Sequence, residues 1–276
     1  QNSEAAKTLF EMLLPLRLRE LSPQQGNLVV IVDSQSARYP WELMRDRSGH
    51  ACDERDPGAE ADPLATRIEA IRQLGSTYGN SDVPLVANGH ALIVGDTDSG
   101  HAPLIGAQAE ATAVNAIFTR HGAVPPVLLL KAKAADVYQG LFNDCYQFMH
   151  FATHGVVEVD GKGQTGIVLG KDSVLTSAQI KQLHHVPEFV FLNCCHLGSM
   201  AADARARWGT LAAGLATQLI EMGCKAVIAA GWMVDDDAAA TFARAFYEEM
   251  FAGERFGHAV LVARRATYEA HRLCNT

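Results

Sequence analysis

Two segments carry residue types and spacings suited to nucleophilic thiol chemistry. FATHG places His154 and Gly155 after one apolar run, and FLNCCHLG places Cys194 and Cys195 after another. Cleavage of an acyl bond by cysteine needs a thiolate, a base that returns a proton to the leaving group, and N–H groups aimed at the oxyanion. A cysteine can supply the thiolate, His154 the base, and Gly155 an unobstructed backbone N–H.

The choice between the adjacent cysteines follows from strand geometry. Successive side chains of a strand point to opposite faces, so only one of Cys194 and Cys195 can face His154. Cys195 comes last before the turn residues HLG, where a nucleophile must emerge. We therefore predict Cys195 as the nucleophile, with Cys194 as the alternative, and expect Cys194 to pack into a neighbouring layer.

Metal binding is the competing use of these side chains. A zinc site is disfavoured because adjacent cysteines cannot readily both bind one tetrahedral ion, and no C-x-x-C or H-E-x-x-H spacing occurs. That site would have comprised His150, His154, Cys194 and Cys195. We predict no metal and no cofactor, and interpret His150 as a core histidine. Residues 95–100 lack the P-loop and EF-hand patterns, so a plain loop is expected there.

Short apolar runs alternate with longer amphipathic ones from residue 91 onward. The predicted strands are 91–96, 127–132, 147–155, 189–195 and 226–234, with a hairpin over 167–176 turning at Lys171-Asp172. The predicted helices are 107–122, 135–143, 210–223, 236–252 and 256–272. This alternation indicates an α/β fold with a mainly parallel sheet flanked by helices, whose ligand site lies at the carboxyl ends of the strands.

The N-terminal part has a different pattern. It comprises a helix over 4–22 broken at Pro15, a buried strand over 28–33, and a charged, Gly- and Pro-containing exposed loop over 46–62. We therefore predict an N-terminal portion over 1–87 and a catalytic domain over 88–276. The chain opens on Gln1 and directly enters a helical pattern, so we expect a piece of a longer protein.

The motifs HFATHG, VFLNCCHLG and GWMVDD together resemble the CHAT family of caspase-like, separase-related cysteine proteases. The segments YPWELM, PLIGAQAEATAV and FGHAVLVAR extend this resemblance through most of the chain. The resemblance implies a caspase-like fold with an N-terminal extension that forms part of a pseudo-caspase unit. It also implies His154 as the catalytic histidine, Gly155 as the oxyanion glycine and Cys195 as the nucleophile. Cys194 and His196 depart from the residues that the family more often has.

The segment GWMVDDD ends the strand that follows the nucleophile's strand. It resembles separase, in which a Trp is followed a few residues later by an Asp at the pocket for arginine. The resemblance implies substrate binding by Trp232 with Asp236 first and Asp235 second, and a preference for Arg over Lys because a carboxylate binds guanidinium through two parallel hydrogen bonds. The alternative is that these carboxylates cap the helix beginning near residue 236.

Composition excludes several partners. The 276 residues carry 31 acidic and 23 basic side chains, a formal net charge of −8, so neither nucleic acid nor a membrane surface is an expected partner. No apolar run reaches the ~20 residues of a membrane span. Six cysteines without regular spacing favour reduced thiols. We expect a soluble, cytoplasmic protein.

The resulting hypothesis is a cysteine endopeptidase that cleaves a protein or peptide substrate after Arg or Lys through a His/Cys dyad and a thioester. The alternatives are a catalytically silent scaffold that binds a partner and, less favoured, a small-molecule thiol hydrolase or acyltransferase. The resemblance implies an effector of bacterial defence or cell death, controlled by a sensor module or partner protein absent from this chain. The segment 199–210 is predicted to be an exposed loop open to self-cleavage after Arg205 or Arg207.

Overall fold

The computed structural model describes most of the chain. The described residues are 2–14, 16–17, 27–33, 35–45, 62–75, 87–157, 164–196, 202–230 and 234–271. Contacts divide the chain into two compact units, one of residues 1–32, 39–73 and 245–276, the other of residues 33–38 and 74–244. The predicted domain boundary between residues 87 and 88 is not tested by this division and stays a prediction.

The larger unit carries the alternating strands and helices. Its strands are β3 (Ala91–Thr97), β4 (Val127–Ala132), β5 (Phe148–Val156), β6 (Gly166–Gly170), β7 (Ser173–Thr176), β8 (Phe189–His196) and β9 (Ala226–Ala229). Its helices are α3 (Ile105–His121), α4 (Ala134–Asn143), α5 (Ser177–Ile180), α6 (Ala202–Glu221) and the first part of α7 (Asp236–Phe251). A short 3-10 turn, Ser36–Arg38, also belongs to it.

The smaller unit combines both ends of the chain. It holds α1 (Asn2–Leu13), β1 (Asn27–Val32), the 3-10 turn Trp41–Leu43, α2 (Leu64–Arg67), β2 (Glu69–Leu74), the end of α7, and α8 (Phe256–Ala270). Arg72 binds the Glu42 carboxylate through two hydrogen bonds of 2.7 and 2.8 Å. Arg264 donates to the carbonyl of Ala70 at 2.6 Å, and burial lowers its pKa. The first contact joins β2 to the Trp41–Leu43 turn, and the second joins α8 to β2.

Within the described residues, the larger unit contains a seven-stranded sheet. Its parallel strands lie in the order β4-β3-β5-β8-β9. The antiparallel hairpin β6–β7 pairs with the end of β5, where β6 lies opposite Gly155 and Val156. Continuous apolar runs suit strands covered on both faces, and every residue of β3 is buried.

The two faces of this sheet have different coverings. One large apolar cluster combines residues of the central strands with residues of α4 and α6, including Leu141, Leu211 and Leu215. The other face contacts α3, where Ala111 packs so closely that a Cβ on Gly95 would lie 2.3 Å from its methyl carbon. The absence of a side chain at Gly95 therefore lets α3 approach β3.

The predicted elements agree with the structure at most positions. The strand over 127–132, the hairpin turn at Lys171-Asp172 and the end of the first helix near Pro15 are confirmed. The prediction of a loop over 199–210 is wrong from residue 202 onward, because α6 begins at Ala202 and includes Arg205 and Arg207. Ala-rich sequence such as ADARA favours helix, and the basic residues led the interpretation toward a loop.

Two further predictions concern the last strand and the exposed loop. The last strand, predicted over 226–234, ends at Ala229 in the structure. The exposed loop predicted over 46–62 lies almost wholly outside the described residues. None of the helices in the described ranges is long and apolar enough to cross a membrane.

Candidate active site

The predicted histidine and cysteine positions lie on adjacent parallel strands. The register pairs His154 of β5 with Cys195 of β8, and the next pair along is Gly155 with His196. Both positions lie near the carboxyl ends of their strands, where ligand sites of parallel sheets form. The fold therefore brings together two backbone positions that are 41 residues apart in sequence.

Cys194 lies on the opposite face of β8 from the position paired with His154. Its side chain is buried in the apolar cluster together with Leu211 and Leu215 of α6. Side chains alternate between the faces of a strand, so position 195 shares the face of Asn193 and His154. The predicted packing of Cys194 into a neighbouring layer is therefore confirmed, and the assignment of Cys195 as nucleophile stays a prediction. The side chain of Cys195 itself lies outside the described part of the chain.

His154 is buried, with 5% of its surface exposed. Its Nε2 lies 3.3 Å from the carbonyl oxygen of Ala102. A carbonyl oxygen only accepts hydrogen bonds, so Nε2 carries the proton in the neutral ring and Nδ1 keeps a free lone pair. Nδ1 is buried and has no hydrogen-bond partner among the described residues. The imidazole is thus oriented with its basic nitrogen available for proton transfer.

Several groups set the pKa of His154. Burial is the largest influence and lowers the pKa below its ordinary value. The Ala102 carbonyl and the charges of Asp96 and Asp236 raise it in part, whereas His101 lowers it further. The His101 ring stands edge-on to that of His154, with ring centres 5.8 Å apart. Because the net shift is downward, the neutral, basic form of His154 persists to lower pH than in an ordinary histidine.

The predicted pocket carboxylates occupy different environments. Asp235 accepts hydrogen bonds through Oδ1 from the backbone N–H groups of Asp237 at 3.1 Å and Ala238 at 3.2 Å. This is the capping of the helix N-terminus that formed the alternative interpretation. Asp235 is therefore engaged in starting α7, and its predicted substrate contact stays a prediction. Trp232 lies outside the described residues.

Asp236 lies against the first turn of α3. A Cβ added to Gly106 would lie 2.2 Å from Oδ2 of Asp236, so only glycine leaves room for this carboxylate. Asp236 is exposed as a residue, but partial burial of its carboxyl, followed by repulsion from Asp235, Glu110 and Asp237, raises its pKa, and His154 lowers it. Asp236 and His154 each have a small influence on the pKa of the other, so the two charges lie within electrostatic reach.

A buried polar network lies on the same face of the sheet. His150 Nε2 lies 3.1 Å from Oε1 of Glu110, and the Asn193 side-chain amide donates to Oε2 of Glu110 at 2.6 Å. These residues are 1–6% exposed, and the His150 ring packs on Phe191 with centres 4.7 Å apart. The core interpretation of His150 is confirmed. The network ties α3 to both strands that carry the predicted dyad.

Sequence reasoning missed several residues of this region. Glu110 was one acidic residue within an amphipathic helix, Asn193 one polar residue within an apolar run, and Asp96 part of a plain loop. A polar residue in an otherwise continuous apolar strand was the available signal for Asn193. The Ala102 carbonyl had no such signal because any residue type supplies one. Among the described residues, no group of three or more His, Cys, Asp or Glu side chains could hold a metal ion.

Comparisons with known proteins agree with this architecture. The CHAT domain family model matches residues 3–274. A search of curated proteins finds no match. The crystal structure of the Arg-specific cysteine proteinase gingipain R has a similar fold, with a TM-score of 0.53 and 12% sequence identity. The similarity covers 98% of this chain and 63% of the gingipain chain, so this chain spans less than two thirds of that length. The predicted caspase-like α/β fold is confirmed.

Proposed function

Since this chain belongs to the CHAT family, we propose that it is a cysteine endopeptidase with Cys195 as nucleophile and His154 as general acid and base. The observation that carries the proposal is the pairing of positions 154 and 195 across adjacent strands, with the buried Nδ1 of His154 free for proton transfer. The dyad's imidazole is oriented by the backbone carbonyl of Ala102.

The reaction follows from these groups. His154 Nδ1 takes the thiol proton of Cys195, and the thiolate attacks the scissile carbonyl carbon. Backbone N–H groups of Gly155 and Cys195 donate to the oxyanion of the tetrahedral intermediate. His154 then returns the proton to the leaving amine, which leaves a thioester on Cys195. Water, deprotonated by His154, hydrolyses the thioester and restores the free thiol.

The substrate preference that we propose is Arg before the scissile bond, read by Asp236. Its carboxylate lies near enough to His154 for each group to influence the pKa of the other, and Asp235 is already bonded to the start of α7. A guanidinium would bind Asp236 through two charge-assisted hydrogen bonds, which a Lys ammonium cannot match. An Asp side chain at that position would be excluded by like-charge repulsion.

Regulation and cellular role extend the proposal. The CHAT resemblance supports control by a sensor module or partner protein, with an effector role in bacterial defence or cell death. A cytoplasmic location belongs to the same set of expectations. Comparing cleavage by this chain with and without candidate partner proteins measures whether activation is needed.

The testing experiment is an unbiased peptide-cleavage profile of this chain beside its variants. Cys195→Ala and His154→Ala are each expected to lower turnover by at least about 10³-fold, and the double variant is expected to be no worse than either single one. The matched control Cys194→Ala retains most turnover. Loss of activity only in Cys194→Ala would contradict the assignment. A folded chain without any Cys195-dependent cleavage, whether or not candidate partner proteins are present, would favour the partner-binding scaffold instead.

A further inference from the structure

Asp96 has an unusual backbone conformation at the end of β3. Its φ is 62°, in the left-handed region, and its side chain is 2% exposed. Among residues other than glycine, Asp and Asn tolerate this conformation best because their short polar side chains hydrogen-bond locally. The conformation persists only when surrounding contacts favour it.

The Asp96 carboxylate joins three segments. Oδ1 accepts from the backbone N–H of Thr97 at 2.8 Å. Oδ2 accepts from the backbone N–H of Leu104 at 3.2 Å and from the side-chain amide of Gln108 at 2.9 Å. The carboxylate therefore connects the end of β3, the end of the loop over residues 98–104, and the first turn of α3.

The loop over residues 98–104, called the 98–104 loop, contacts the ring of His154. It carries the Ala102 carbonyl that bonds Nε2 of His154, and the His101 ring that stands edge-on to the imidazole. Its beginning is attached to β4 through the N–H of Asp98, which donates to the Ala132 carbonyl at 2.9 Å. Its end is attached to Asp96 through the N–H of Leu104.

We propose that Asp96 is a positioning residue for His154, with its carboxylate fixing the 98–104 loop so that Ala102 keeps the imidazole in the Nε2–H form. The proposal rests on the proposed function of His154 as the base. Asp96 contacts neither Cys195 nor the scissile bond in this scheme. It acts through the loop, and the free lone pair on Nδ1 is the result.

The negative charge of Asp96 also affects the pKa of His154. It raises the pKa of His154 against the effect of burial and so favours the imidazolium that forms when His154 takes the thiol proton. Among the described residues, the other titratable groups that act on His154 are His101 of the 98–104 loop and Asp236 of α7, and Glu110 of α3 acts on Asp236. The Cys195 position of β8 lies beside His154 in the strand register. Removing the Asp96 charge alone is therefore expected to lower the pKa of His154.

The decisive variant is Asp96→Asn, because Asn keeps the left-handed conformation and one carbonyl oxygen. In either orientation of its amide, an NH₂ group faces a backbone N–H, so at least one of the observed hydrogen bonds is lost. The control is Asp98→Asn, which removes the same charge from an exposed side chain of the same loop. Gln108→Met is a milder variant that removes one donor to Asp96.

Activity and protonation are both measured. Asp96→Asn is expected to lower kcat about 10- to 100-fold with little change in KM, and to move the acid limb of kcat/KM to lower pH. Gln108→Met is expected to give a smaller, several-fold loss of kcat, and Asp98→Asn none. NMR of ¹⁵N-labelled imidazole, assigned with His154→Gln, is expected to show the Nε2–H form of His154 in the unaltered chain and its loss in Asp96→Asn.

The outcomes separate this proposal from the function on which it rests. Cys195-dependent cleavage with Asp96→Asn and Gln108→Met equal to Asp98→Asn would overturn the positioning role and leave the protease proposal standing. Absence of Cys195-dependent cleavage in the unaltered chain, both with and without candidate partner proteins, would overturn the protease proposal, and the NMR result would still decide the role of Asp96. An unchanged His154 tautomer in a folded Asp96→Asn would contradict it.

Discussion

The two faces of β8 place its adjacent cysteines in opposite environments. Cys194 lies in an apolar cluster with Leu211 and Leu215, and burial in apolar surroundings suits an inert thiol. Position 195 lies on the face of Asn193, Glu110 and His154, where polar groups are fixed by hydrogen bonds. In the proposed mechanism, one step along a strand separates packing from chemistry, because the sheet face decides which thiol faces His154.

Among the variants that distinguish the two faces of β8, we expect the largest effect from removing the polar network around Glu110. Glu110→Ala leaves the buried side chains of His150 and Asn193 without their shared partner, and we expect a loss of about 2–4 kcal/mol in the free energy of unfolding, because each buried polar group that loses a partner costs about 1–3 kcal/mol. Chemical denaturation provides the measurement. The control Thr112→Ala, an exposed position on the same helix, is expected to cost under about 0.5 kcal/mol. Equal losses in the two variants would show that the network contributes nothing.

Asp236 adds a titratable carboxylate to the polar side of the sheet, which the apolar face of Cys194 lacks in the proposed mechanism. Asp236→Asn is expected to lower the kcat/KM ratio of an Arg peptide to its neutral citrulline counterpart by about 10- to 100-fold. The ratio should be unchanged in Asp237→Asn, which removes the same charge one residue away, although both residues are exposed. A similar ratio in all three proteins would remove Asp236 from substrate recognition.

The same carboxylate predicts a pH dependence. Burial and neighbouring carboxylates raise the pKa of Asp236, so it becomes protonated at a higher pH than an ordinary aspartate. Guanidinium binding needs the ionised carboxylate, and the Arg preference is therefore present at higher pH and lost on acidification. The Arg-to-citrulline ratio measured across pH should fall at a pH above the usual aspartate range. A ratio independent of pH would contradict this use of Asp236.

The smallest effect is expected on the apolar face. Cys194→Ala removes one sulfur atom from a packed cluster, and we expect it to cost about 1 kcal/mol in the free energy of unfolding while turnover stays within about two-fold. Cys145→Ala, at a half-buried position, is the matched cysteine control and should cost less. Loss of turnover in a folded Cys194→Ala would show that the chemistry depends on the apolar face, which contradicts the proposal.

Sequence patterns predicted the strands well because a doubly covered strand leaves a continuous apolar run. β4 was predicted at its observed bounds for this reason. Two strand ends also predicted His154 and Cys195, since the carboxyl ends of parallel strands share one edge. The start of α6 was missed because basic residues within ADARARWGT resemble a surface loop, although Ala and Arg also favour helix.

The positioning contacts could not be predicted in the same way. Glu110 and its partner His150 lie on different elements, and a buried acidic residue in a helix has the same local pattern as an exposed one. The Ala102 carbonyl and the backbone N–H of Leu104 are main-chain groups, which leave no residue-type signal. Asp96 could be recognised only when the fold showed which N–H groups surround its carboxylate.

We propose that Cys195 carries the reactive thiol and that its reactivity depends on His154. Iodoacetamide labelling of the folded chain, followed by peptide mapping in Cys194→Ala and Cys195→Ala separately, measures this directly. We expect rapid alkylation at Cys195 in Cys194→Ala, slower alkylation when His154→Gln is added, and protection of Cys194 in Cys195→Ala until the protein unfolds. Equally rapid labelling of Cys194 in folded Cys195→Ala, or labelling of Cys195 that does not change in His154→Gln, would contradict it.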